Sequence, residues 1–266
     1  MKAYLSVMRL RLQVQMQYRA AALAGFFTQF FFGFVRVMVF NAFYASTTIA
    51  QPMSLPQAIT YSWLVQVTFR LIPWYGDTEM INMVRNGGLG YELCRPINLY
   101  SAWYCRLIAL RLVPFVLGGI PTLIVATLLP VNYRLAPPAS GLALMAFFAS
   151  MLLALILGCA VTNIVSISAL WTISGEGMQR ILPTAVMFLS GLVIPLPFFP
   201  DWAQPILTLL PFSSLADAPF RFYVGSVAPT ALPAYLGIQL VWTASFVGLG
   251  LWLMKAATKR VVVQGG

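Results

Sequence analysis

Six apolar runs divide this chain, and they restrict its fold more than any other feature of the sequence. They fall roughly over 21–44, 57–75, 101–130, 139–170, 178–196 and 232–254. A bilayer core takes about 20 apolar residues as helix, so each run meets or approaches the length of a membrane span. The third and fourth exceed that length and are expected to tilt, kink or extend past the headgroups, with Pro114 and Pro121 as kink points in the third. With 60% hydrophobic and 8% charged residues, the chain is far from the roughly 25% charged content of a soluble domain. The expected fold is an all-α membrane protein with six transmembrane helices. Residues 1–20 are expected as an N-terminal interfacial helix, 21–254 as the membrane domain and 255–266 as a cytoplasmic tail.

Orientation follows from the basic residues outside the runs. Lys2, Arg9, Arg11, Arg19, Arg85, Arg95, Arg180, Lys255, Lys259 and Arg260 collect on one side, against Arg134 and Arg221 on the other. The positive-inside bias then places both termini in the cytoplasm. The same bias accounts for the net charge of +10, which is spread along the chain instead of forming one basic patch for nucleic acid. Trp74, Trp103, Trp171 and Trp252 fall near the cytoplasmic boundary, where amphipathic rings are favoured. The first run starts near Ala21 and is too long for a cleaved signal peptide.

Two segments outside the runs have their own character. From Met8 to Arg19 apolar and polar residues alternate, a period that reads as strand, while Met, Leu, Gln and Arg favour helix. A lone strand would lack a partner for its edge, so an amphipathic helix on the cytoplasmic interface is expected, its basic residues near anionic lipid headgroups. Between Leu196 and Pro233 prolines recur among short apolar pieces, which predicts short re-entrant or interfacial helices on the outer side.

Several chemistries are excluded by what the chain lacks. It has no His, which removes Ser-His-Asp and Cys-His catalysis and histidine-containing zinc sites. No lysine occurs between Lys2 and Lys255, so no P-loop can bind ATP. All 6 acidic residues fit in loops or at interfaces, which weakens proton-coupled transport and intramembrane proteolysis. Cys94, Cys105 and Cys159 show no pairing pattern and are expected as free thiols. No catalytic residue, metal site or cofactor of its own is expected.

Arginines near the runs call for separate treatment. Arg70, Arg106 and Arg111 lie close enough to the cytoplasmic face to extend their charge into the interface. Arg36 lies about two-thirds along the first run, with no carboxylate in any run to meet it. Gln29, Gly33 and Arg36 share one helical face with Gly25, a small and polar stripe suited to a helix contact or to a water-filled pathway.

Asp77, Glu79, Arg85, Glu92 and Arg95 make a charged island of the stretch from Gly76 to Tyr100. Glu79 to Val84 predicts a short helix, and Asn86-Gly87-Gly88 ends it. Trp74, Tyr75, Tyr100 and Trp103 are expected to hold this loop against the membrane face. Here the sequence resembles the permease subunits of ABC-2 type ATP-binding-cassette exporters, through Arg85, Gly87, Leu89, Leu93, Arg95 and Pro96 in this loop. Ser190-Gly191, Ile194-Pro195-Leu196, Phe199-Pro200, Leu210-Pro211-Phe212 and Pro219 are similar to the segment around that family's fifth span and outer loop.

The resemblance implies a bacterial inner-membrane protein that forms half of an export pathway. A second permease, identical or different, would complete it, and separate ATP-binding-cassette ATPase subunits would bind ATP and Mg. It further implies that the loop carries a coupling helix for the ATPase, with Asp77, Glu79, Arg85, Gly87, Glu92, Arg95 and Pro96 as the residues making or orienting that contact. A secondary carrier and a non-transporting membrane scaffold are the alternatives. Membrane lipids are the remaining expected partners, and nucleic acid is not one.

Overall fold

The computed structural model describes residues 2–17, 19–72, 76–171 and 176–259. Trp74, Tyr75 and Arg260 lie outside them, as do the side chains of Lys2, Arg11 and Arg19. Among the described residues the chain is helical throughout, without strands. Its helices are α1 (Lys2–Met16), α2 (Arg19–Ser46), α3 (Leu55–Thr68), α4 (Thr78–Arg85), α5 (Leu89–Leu93) and α6 (Leu99–Pro114). They continue with α7 (Ile120–Leu128), α8 (Gly141–Ser168), α9 (Glu176–Leu189), α10 (Gln204–Leu209), α11 (Asp217–Val224) and α12 (Leu232–Thr258).

Among the described residues, four stretches are long and apolar enough to cross a membrane: Leu23–Ser46, Leu99–Leu128, Gly141–Ser168 and Pro229–Thr258. The runs over 57–75 and 178–196 were expected as full spans, but they form α3 and α9, of 14 residues each. At 1.5 Å per residue such a helix reaches about 21 Å, short of a core about 30 Å thick. Local backbone explains both endings. After Thr68 the chain tightens into a 3-10 turn over Phe69–Leu71, and beyond α9 Gly191 takes a left-handed φ of 83°.

α3 is the centre of the fold, because every residue from Ala58 to Thr68 is buried. Its flanks are α2, α7 and α11, and α8 makes the second axis by packing against α6, α11 and α12. Gln239 of α12 ties three elements together, donating to the carbonyls of Ser214 (2.8 Å) and Ser150 (3.1 Å). A buried amide with its partners in place fixes the register of α12 on α8.

Two ends of the bundle can be told apart. At the loop end, α3 finishes beside the start of α2, where Gly25 abuts Arg70, and Gly250 of α12 packs on Tyr100 at the start of α6. At the distal end, Gln57 donates to the Val224 carbonyl and the Ala139 N–H donates to the Tyr223 carbonyl. The distal end also carries 3-10 turns over Leu196–Phe198 and Ser213–Leu215 together with α10 and α11, so the short helices expected in the Pro-rich segment are present. Both α2 and α12 reach the loop end, in keeping with an even number of crossings.

The third stretch is interrupted. Pro114 cannot continue the α-helical ladder, and Phe115–Gly119 form a π-helical segment in which the Ile120 N–H donates to the Phe115 carbonyl. Past it, Thr122 and Ala126 of α7 are fully buried.

The helix expected for the N-terminal segment is present as α1, packed against α6. Its alternation does not give the expected two-faced helix. Residues two apart are about 200° apart around a helix, so the apolar side chains are dispersed and Leu10 and Met16 stay exposed.

Candidate functional site

The charged loop folds onto the loop end of the bundle as α4 and α5. Asp77 caps α4, its Oδ1 accepting from the backbone N–H groups of Glu79 (2.9 Å) and Met80 (3.3 Å). The same carboxylate meets Arg106 of α6, with Nε 2.5 Å from Oδ2 and Nη2 3.3 Å from Oδ1. Arg106 Nη2 also lies 2.5 Å from Glu79 Oε2, and the Asp77 N–H donates to Ser166 Oγ of α8 at 3.4 Å. Met80 and Ile81 insert into the core below. One buried carboxylate therefore starts the helix and fastens it to α6, while its backbone fastens it to α8.

The outer face of α4 presents Thr78, Glu79, Asn82, Arg85 and Asn86. Gly87 ends the helix with φ 72°, a left-handed conformation that glycine adopts without strain, and a Cβ there would meet only open space. Leu89 anchors α5, leaving Tyr91, Leu93, Arg95 and Pro96 exposed. Glu92 pairs with Arg95 at 2.8 Å, a surface contact of small stabilising value. Among the residues expected to meet an ATPase, Asp77 thus turns inward and positions the others, Glu79 straddles the boundary, and Arg85, Arg95 and Pro96 face out.

The arginines and aromatic residues near this end depart from what the sequence leads one to expect. Arg106 and Arg111 do not extend toward the interface: both are buried. Arg111 donates to the carbonyls of Ile72 (2.5 Å) and Leu71 (3.4 Å) and to the Thr162 hydroxyl. These carbonyls are available because the chain leaves helical geometry after Leu71, so a sequence without a carboxylate nearby still provides acceptors. Arg70 is exposed, as expected. Tyr100 and Trp103 are core residues, not membrane-face anchors, because α1, α8 and α12 cover α6.

A second feature opens along the seam of α2, α3 and the end of α9. It is a cavity of 470 Å³, lined by Gln29, Phe32, Val35 and Arg36 of α2, Val65 and Gln66 of α3, and Met187, Leu192 and Val193. The Gln29–Gly33–Arg36 stripe divides its work here. Gly33 is the helix contact, since a Cβ on it would stand 2.5 Å from the Trp63 ring and 3.1 Å from Gln66 Cγ. Gln29 and Arg36, one helical turn away on either side of it, line the cavity. Arg36 Nη2 donates to the Val193 carbonyl at 3.3 Å, and among the described residues no carboxylate pairs with it.

The sequence alone singles out neither Gln66, although its amide stands inside an apolar run, nor Asp217. Asp217 sits at the distal end outside the four long stretches, its Oδ1 accepting from the Tyr61 hydroxyl (2.9 Å) and the Leu196 N–H (3.2 Å). Burial pushes its carboxyl up to about 6, opposed by Arg221 at 3.6 Å.

The apolar stretches agree with a family comparison. Residues 30–265 match the family described as ABC-2 family transporter protein. The chain belongs to that family. As an ABC-2 transporter protein it is a multi-pass membrane component of a transport system and is not itself catalytic. Family membership implies an ATP-binding ATPase subunit as partner. The match begins inside α2, so α1 lies outside it. No curated protein sequence matches the ABC-2 transporter chain.

Proposed function

We propose that this chain is the permease subunit of an ATP-binding-cassette exporter in a bacterial inner membrane, with both termini cytoplasmic. It would form half of the translocation pathway beside a second permease, identical or different, and the flanking residues of α3 and α9 would complete six crossings. The observation that carries the reading is α4: a short helix capped, ion-paired and packed so that it cannot move without α6 and α8, yet showing a polar face outward. Such a rigid bracket is what transfers the movement of a bound ATPase into a helix bundle. The ATPase would bind ATP and Mg and supply the free-energy difference between the two pathway states, which this chain lacks the residues to supply.

In this reading Glu79, Arg85, Glu92, Arg95 and Pro96 contact the ATPase, Asp77 and Gly87 shape the contact, and α1 lies along the cytoplasmic interface. Gln29 and Arg36 face the pathway, and the short distal helices help to close it. Co-purification from native membranes tests the assignment directly. An ATPase and a second permease should travel with the chain at fixed ratio, and a transport-active single chain without them would overturn it.

A further inference from the structure

The cavity between α2, α3 and α9 holds an imbalance that the fold itself does not use. Arg36 brings a guanidinium into a largely apolar cavity and has, among the described residues, one hydrogen bond, to the Val193 carbonyl, for its five N–H donors. Gln29 and Gln66 are 9% and 5% exposed, line the same cavity, and have no hydrogen-bond partner among the described residues. Buried amides ordinarily find partners, and a cation in an apolar setting calls for an anion. Other buried groups of the same kinds are better served: Arg106 has Asp77 and Glu79, Arg111 has two carbonyls and the Thr162 hydroxyl, and Gln239 has Ser150 and Ser214. Polar groups aimed into a cavity of 470 Å³, within the range of small-molecule pockets, form a receptor with an unfilled valence.

We infer that this cavity binds an amphipathic monoanion, with its acidic head at Arg36, polar atoms at Gln29 and Gln66, and an apolar body along Phe32, Val35, Val65 and Leu192. The inference deepens the permease reading by naming the cargo class, and it rests on that reading only for the word cargo. Binding itself needs no ATPase, so it is measured separately from the co-purification above.

The test uses the full chain in nanodiscs of zwitterionic phosphatidylcholine, titrated with dansylamino-undecanoic acid and with its uncharged methyl ester, empty discs serving as background. Saturable binding of the acid at least about tenfold tighter than the ester is expected, the scale of one charge-assisted hydrogen bond. Arg36→Gln should abolish the preference for the acid, and Arg36→Lys should retain part of it. Equal binding of acid and ester to the unaltered chain would overturn the inference without reference to any variant, as would an Arg36→Gln chain that keeps the preference. Competition by phosphatidylglycerol added to the disc would identify a bilayer lipid as the source of the anion, and its absence would identify a single-chain acid. Either result sustains the anionic class.

Discussion

At the loop end Arg106 lies against two carboxylates, whereas in the cavity between α2, α3 and α9 Arg36 reaches, among the described residues, only the carbonyl of Val193. Both guanidiniums are held inside the bundle, so both bear a desolvation cost. The loop end offsets it internally and gains a fixed bracket for α4. The cavity leaves it open, which gives up stability in the empty chain and reserves the charge for something else. A buried charge that is matched inside the chain points to architecture, and one that is not points to a ligand.

Mutations that disturb the matched site should have the largest effect. Asp77→Ala removes a cap and the buried partner of Arg106, leaving it the more exposed Glu79, and it should lower stability by about 3 kcal/mol, read as an earlier transition in detergent-solubilised thermal unfolding. If the loss were no greater than that of a surface substitution, the bracket would not be structural. Gly33→Val should cost about 1–3 kcal/mol by pushing α2 off Trp63, and its cavity should widen enough to admit larger probes.

A third measurement concerns Asp217, whose carboxyl is raised to about 6 from an ordinary 3.8. Between those values the folded chain binds the proton more readily than the unfolded chain. Stability contributed by this group should therefore rise as pH falls from about 6 toward about 4. Asp217→Asn keeps an acceptor for Tyr61 and should flatten that slope, so an unchanged slope would assign the titration to another group. Smallest in stability, and largest in coupling, should be Arg85→Glu: within about 0.5 kcal/mol of the parent in unfolding, but with ATP hydrolysis no longer linked to transport. A fully coupled variant would remove Arg85 from the ATPase contact.

Much of this architecture was legible in the residues. Apolar length located the four long helices, Asn86-Gly87-Gly88 located the end of α4, and proline spacing located the short distal helices. What could not be read was which neighbours a residue meets. α3 and α9 are shorter than their apolar runs because hydropathy reports composition, while helix ends are set by the 3-10 turn after Thr68 and by Gly191. Arg106 and Trp103 looked like interfacial residues because their distance from the loop is short, but Asp77 and the covering of α6 draw them inward. In the cavity, Arg36 stood out by charge alone. Gln66 acquired meaning only once α3 was placed beside α2, across the gap that Gly33 permits.

The π segment over Phe115–Gly119 has a consequence for how this chain can change over time. Removing one residue there would let the wide turn close as ordinary α-helix, and α7 would keep the face that buries Thr122 and Ala126. The same loss between Arg106 and Arg111 would swing one of the two away from its partners by about 100°. Along this helix the chain can shed a residue at the wide turn, and not beside its buried arginines.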